Sequence, residues 1–286
     1  MSIKIKDQLN KIDLNNLTNE KLVKLFPELP MQYRYNLMEA KLNEYMKVRE
    51  REGHICLPAP KEQILNEISR ITKILPTQII RSSAKDKLQQ FSTPLHIAYF
   101  MVELLDPQRN DIVLDSSAGT GNLLTFINGV RAIYANEIDP HRAEILKYLG
   151  YKTTSHNAEF IHDLLDPDIE PNKIIMNPPF SVGLKASKNK TEYGFKHLTQ
   201  ALFRLKQGGR LVCLLGESCM NHKNYWNMLL SFNKNLRICK NYKVDGKEFY
   251  KQGTTFGTNI IVLEKTDPDS KIDSNHNFNN QIPFRS

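Results

Sequence analysis

The stretch that most constrains the fold is Asn177-Pro178-Pro179-Phe180, placed directly after the apolar run Lys173-Ile174-Ile175-Met176. A short β-rich run ending in Asn-Pro-Pro reads as a strand that stops abruptly. Neither proline can donate to a sheet ladder, and each fixes its own φ. The Asn177 carboxamide and the Pro178 carbonyl are therefore expected at a strand's carboxyl edge. In an open α/β sheet that edge is where ligands bind. A flat aromatic, Phe180, follows at once and can stack on a planar group. The predicted chemistry is a grip on an amino group attached to an aromatic ring.

The surrounding pattern supplies the sheet. Strands are expected at 112–114, 132–135, 151–155, 174–176 and 210–215, with 236–244 and 259–264 as a later antiparallel pair. Helices are expected at 95–105, 123–128, 140–149 and 197–205. Ser92-Thr93-Pro94 reads as an N-cap pair with proline at the first helical position. Alternation of this kind predicts an α/β fold, a mostly parallel sheet with helices on both faces. Residues 1–85 read as a separate helical region: one or two short helices over 1–30, a long one from Met31 to Arg51, and another from Pro60 to about Leu75. The tail over 266–286 is polar and Asn-rich and reads as flexible.

Composition bounds the function class. No run of about 18 apolar residues occurs, so no membrane span is expected. The first ten residues lack the apolar core of a secretory signal. The four cysteines form no CxxC pair and no His/Cys cluster. Reduced thiols, no metal site and a cytoplasmic location follow as expectations. The net charge of +8 is unevenly spread. Residues 1–90 carry 16 Lys+Arg against 11 Asp+Glu, residues 91–180 carry 6 against 12, and residues 181–286 carry 17 against 8. Two basic flanks around an acidic centre suit a nucleic acid held across a site that binds something else. Lysine enrichment without a binding role is the other reading of the same numbers.

The acidic centre holds a candidate cofactor site. The first strand runs into Asp115-Ser116-Ser117-Ala118-Gly119-Thr120-Gly121, a turn whose small residues let a ligand lie against the backbone. A dinucleotide fingerprint would need a glycine where Leu124 stands. Asp115 also argues against an anion and for an ammonium. The second strand ends in Asn136-Glu137-Ile138-Asp139, where a carboxylate can reach the two hydroxyls of a ribose or serve the next helix's N-terminus. Asn157-Ala158-Glu159-Phe160 follows the third strand. There an acid and an aromatic edge can sit beside an adenine, or the acid can simply be solvated. An acid for an ammonium, an acid for a ribose and no phosphate cradle describe S-adenosylmethionine better than NAD, FAD or ATP.

Here a family resemblance becomes specific. Phe91-Ser92-Thr93-Pro94, the turn from Asp115 to Gly121, and Asn177-Pro178-Pro179-Phe180 resemble, in that order, three motifs of the gamma-class adenine-N6 DNA methyltransferases. Gln89 to Pro94 and Gly253-Thr254-Thr255-Phe256 are further similar to the methyltransferase module of strawberry-notch-like phage and plasmid proteins. The resemblance spans about 85–265 and implies a Rossmann-like class I methyltransferase domain over 86–265. It implies S-adenosylmethionine bound by Phe91, Thr93, Asp115, Ser117, Gly119, Gly121, Glu137, Ile138, Glu159, Phe160 and Asn177. Methyl transfer to a flipped adenine is implied for Asn177, Pro178 and Phe180; an RNA-base or protein-glutamine N-methyltransferase, or a non-catalytic nucleic-acid-binding module with a vestigial cofactor pocket, are the alternatives. Family members usually carry a sizeable recognition domain after the catalytic half, whereas 106 residues follow Phe180 here. Recognition is then expected from the N-terminal helices, from the basic loop with Lys185, Lys188 and Lys190, or from a partner chain or oligomer.

Overall fold

The computed structural model describes residues 2–51, 61–79, 91–179, 192–232, 235–266 and 280–281. One sheet organises them, with strands β1 (Ile112–Asp115), β2 (Ala132–Asn136), β3 (Lys152–Thr154), β4 (Lys173–Met176), β5 (Arg210–Gly216), β6 (Leu236–Val244), β7 (Thr258–Lys265) and the two-residue β8 (Asn280–Gln281). Their order across the sheet is β3-β2-β1-β4-β5-β7-β6-β8. Strands β1 to β5 run parallel, and β7 is antiparallel to both β5 and β6. The strand order reverses between β1 and β4, which opens a crevice at their carboxyl ends.

The central strands are apolar because helices cover both faces. Helix α5 (Leu95–Leu105) buries Ile97, Met101 and Leu105 against one face. Helices α8 (Glu192–Arg204) and α10 (Lys223–Phe232) bury Leu198, Leu202, Trp226 and Leu229 against the other. Helix α6 (Pro140–Tyr148) starts as a proline-led helix should: Asp139 accepts from the Arg142 N–H and Pro140 sits in the first turn. Short helices α7 (Ile161–Leu164) and α9 (Glu217–Met220) complete this part.

The N-terminal helices are α1 (Ser2–Asn10), α2 (Asn19–Leu25), α3 (Met31–Arg51) and α4 (Lys61–Ile74). Their core, including Leu9, Leu22, Leu37, Ile68 and Ile71, is continuous with Leu95 and Tyr99 of α5 and Ile145 of α6. This helical region therefore packs on the backs of the two helices that flank the crevice.

Two local expectations are corrected. Residues 122–124 form one 3-10 turn instead of the helix expected over 123–128. The segment starts after Gly121, at φ +91, and turns again at residues 125–126 before Gly129, at φ +66. Ser92 and Thr93 do not cap α5; Pro94 occupies the cap position and no side chain bonds to the helix end. Ser92 Oγ donates to Glu39 and Thr93 Oγ1 accepts from Asn177 instead. Among the described residues no helix is long and apolar enough to cross a membrane.

Candidate active site at the carboxyl edge of the sheet

Strand β4 ends where the prolines begin, and Asn177 is the first residue beyond it. Its Nδ2 donates to the Phe91 carbonyl and to the Thr93 hydroxyl, both at 3.0 Å. A carbonyl can only accept, so the bond to Phe91 fixes which end of the carboxamide is nitrogen. Both amide hydrogens are thereby committed. Asn177 lines the crevice together with Pro178 and Pro179. The atom it has left to offer is Oδ1, an acceptor.

Opposite lies the turn after β1. Gly119 has φ +57, and no atom lies within 4 Å of where its side chain would begin. Its N–H donates to Glu137 Oε2 at 2.8 Å, while Oε1 of the same carboxylate accepts from the Asp139 N–H at 2.8 Å. Two backbone donors thus set the plane of Glu137, which is 5% exposed, and leave further lone pairs facing outward. Ser116 Oγ is buried on the crevice lining without a partner. An orphaned hydroxyl at that place is what a bound polar ligand would satisfy. The crevice holds about 760 Å³ of space, counting the part open to solvent.

Phe91, Thr93, Ser117, Gly119, Glu137, Ile138 and Asn177, read from sequence as cofactor residues, all lie on this lining. Four expected cofactor residues do not. Asp115 is wholly buried beneath the turn, where Oδ1 accepts from the Ser117 N–H. Burial pushes its carboxyl up to about 8. Gly121 faces away, against Leu146 and Tyr151. Glu159 lies 3.9 Å from Lys196, and Phe160 is half exposed; Asn157 and Ala158 of that turn line the crevice in their place. Phe180, Lys185, Lys188 and Lys190 lie outside the described residues.

No motif in the sequence points to His197. It lines the crevice, and its Nδ1 is 3.3 Å from Ser117 Oγ. Burial, with Lys196 adding, lowers its pKa to about 4, so the ring is neutral near pH 7. The loop over 253–257 connects a 3-10 segment (Gly246–Gln252) to β7. It brings the exposed Phe256 ring to 6.4 Å from the Phe91 ring, at the rim of the crevice.

No family model matches the chain. It is 31% identical over 159 residues to the type II restriction enzyme and methyltransferase RM.BcgI of Heyndrickxia coagulans, covering 46% of this chain and 24% of that protein. It is 28% identical over 102 residues to the tRNA (guanine(37)-N(1))-methyltransferase Trm5b of Methanocaldococcus jannaschii, covering 35% and 27% respectively. The chain thus spans about a quarter of the length of these curated relatives. Its structure superposes with a TM-score of 0.55 on that of a Listeria monocytogenes protein described as a class I S-adenosylmethionine-dependent methyltransferase. That match is 17% identical and covers 96% of this chain and 92% of that one. The fold is that of the Rossmann-like class I methyltransferases.

Proposed function

We propose that the chain transfers a methyl group from S-adenosylmethionine to the exocyclic N6 of adenine in DNA. The observation that carries the reading is the hydrogen-bond polarity at Asn177. Its nitrogen is spent on Phe91 and Thr93, so an oxygen is what it offers across the crevice from Glu137 and Gly119. The orphaned Ser116 hydroxyl, the open space at Gly119 and the aligned Glu137 carboxylate suit a ribose-bearing cofactor. When bound, S-adenosylmethionine supplies an electrophilic methyl group.

The chain's own residues supply orientation. Asn177 Oδ1 and the Pro178 carbonyl accept the two N–H bonds of the amino group. This draws the nitrogen lone pair out of ring conjugation and aims it toward the cofactor. Fixed dipoles and geometry carry the catalysis, and the proton leaves after transfer. A duplex base must leave its stack to reach this edge, which costs on the order of a few kcal/mol. Stacking on Phe180 offsets about 1–3 kcal/mol of that, by analogy with single-strand binding. Target recognition falls to the basic N-terminal helices, to the basic segment with Lys185, Lys188 and Lys190, or to a partner chain.

A second reading, methylation of an RNA base, is favoured by the local similarity to a tRNA methyltransferase. Labelled methyl transfer to duplex DNA, single-stranded DNA and RNA, with the product nucleosides identified, separates the two. N6-methyladenine in DNA is the expected product. A methylated ribonucleoside alone would move the assignment to RNA. In the same assay Asn177→Ala is expected to lower transfer by at least about 100-fold, in the range of losing one oriented polar contact to the transition state. Affinity for S-adenosylhomocysteine should fall much less. Equal loss of both would make Asn177 chiefly structural.

A further inference from the structure

Helix α3 carries Asn36, Glu39 and Asn43, at spacings of three and four residues that put them on one face. They are 3%, 4% and 0% exposed, on a helix whose neighbouring buried residues are largely apolar. A carboxylate so deeply buried is costly unless donors surround it. Glu39 Oε2 accepts from Ser92 Oγ and from Thr120 Oγ1, both at 2.7 Å, and Oε1 accepts from Gln78 Nε2 at 2.6 Å. No ion pair to Glu39 is formed among the described residues. Ser92 and Thr120 belong to the two segments that form opposite walls of the crevice, and both line it.

Asn43 strengthens the same joint. Its Nδ2 donates to the Thr120 carbonyl at 3.0 Å and to Asn122 Oδ1 at 2.9 Å. Asn122 Nδ2 donates to the Thr93 carbonyl at 2.9 Å, and Thr93 Oγ1 accepts from Asn177. The hydrogen bonds are therefore continuous from the middle of α3 to the carboxamide at the end of β4. Chains of this kind in a water-poor interior hold one geometry, because each broken link leaves a buried polar group unpaired.

We propose that Glu39 is a positioning residue: from α3 it clamps the Phe91–Pro94 segment to the glycine turn and so sets the width of the cofactor pocket. The clamp rests on the reading of the crevice as a cofactor site. It gives the N-terminal helices a part in catalysis separate from any contact with nucleic acid.

The test uses the full chain as wild type, Glu39→Ala, Glu39→Gln, Thr120→Val and the Glu39→Ala/Thr120→Val double variant. Two measurements are made: calorimetric titration with S-adenosylhomocysteine, and amide hydrogen exchange without ligand. Losing three bonds to a buried charge predicts affinity weaker by about tenfold or more in Glu39→Ala. Glu39→Gln should stay within about threefold, because its oxygen can serve both hydroxyls while the Gln78 amide turns to accept. The double variant should lose less than the sum of the two single losses, since the two side chains share a bond, although Thr120 Oγ1 also lies 3.1 Å from Asn122 Oδ1. Exchange should quicken at 91–94 and 115–122 in Glu39→Ala and not in Glu39→Gln, with the amides of β5 unchanged as the control for folding. Wild-type exchange over those segments in Glu39→Ala overturns the proposal, as does wild-type affinity in Glu39→Ala or additive loss in the double variant. Failure of the wild type to bind overturns the cofactor reading instead, and the exchange result still decides the clamp.

Discussion

Asp115 offers a quantitative check on how dry the ground beneath the site is. It is 0% exposed, one oxygen accepts from the Ser117 N–H, and the other has no partner. Burial raises its pKa to about 8, against the opposing Ser117 bond and with the Glu137 charge adding. In the unfolded chain the group titrates near about 3.9. Between these two values the folded state holds a proton that the unfolded state has lost. Stability contributed by the group is therefore full below the unfolded pKa and is lost as pH rises through the folded one. Some four units at 1.36 kcal/mol each amount to about 5 kcal/mol, of which about 3–4 kcal/mol is lost between about pH 5 and pH 8. That is a large share of a typical stability of about 5–15 kcal/mol. In Asp115→Asn the carbonyl still accepts from Ser117, nothing ionises, and a buried NH2 group left unpaired costs about 1–3 kcal/mol. The variant should thus be near wild type or slightly weaker at about pH 5 and more stable by about 2–4 kcal/mol at about pH 8. Urea unfolding of both proteins without ligand, at three pH values across this window, measures the difference. A stability difference that is flat with pH would refute the reasoning, because it would mean that Asp115 is already ionised in the folded chain.

Two further outcomes follow from the same physics. Gly121→Ala places a Cβ at φ +91, 3.1 Å from Leu146 and 3.2 Å from Tyr151. It should cost about 1–2 kcal/mol and lower the melting midpoint by several degrees; an unchanged midpoint would contradict it. Glu264 is pushed up by burial but held down to about 2 overall by hydrogen bonds from Arg237, Cys239 and Arg210. Its stabilisation is present above the ordinary carboxylate pKa and lost as pH falls through about 2. Glu264→Gln should therefore lose on the order of 1–2 kcal/mol at neutral pH, after solvent screening, and nothing in strong acid. Unfolding curves at neutral and acid pH that differ from wild type equally would argue against it.

The sheet was legible in the sequence because short apolar runs between turn residues mark strands buried on both faces. The end of β4 was legible because two prolines leave no alternative. Ser92 and Thr93 were misread because capping is a local rule, while their hydroxyls are taken by Glu39 and Asn177, which are distant in sequence. Asp115 was expected to meet a ligand, yet it lies wholly buried beneath the turn, and the residues that follow it, Ser116 to Thr120, line the crevice. Asn36, Glu39 and Asn43 carried a signal that went unused: polar side chains at helical spacing among Leu37, Leu42 and Met46, all of them buried. Their partners could not be read at all, since nothing local says which loop a helix face will meet.

The polarity at Asn177 also bears on which substrate the proposed transfer suits. Two neighbouring acceptors, a carboxamide oxygen and a prolyl carbonyl, are matched by a nitrogen that carries two hydrogens. An exocyclic amino group supplies both. A ring nitrogen such as N1 of guanine supplies one and would leave an acceptor unpaired in a partly buried site, at about 1–3 kcal/mol. The similarity to a guanine-N1 tRNA methyltransferase covers 35% of this chain and is compatible with a common cofactor-binding fold. In the proposed transfer the preference at the reacting nitrogen would come from the few atoms beyond β4, where the bonds to Phe91 and Thr93 leave Asn177 an oxygen to offer.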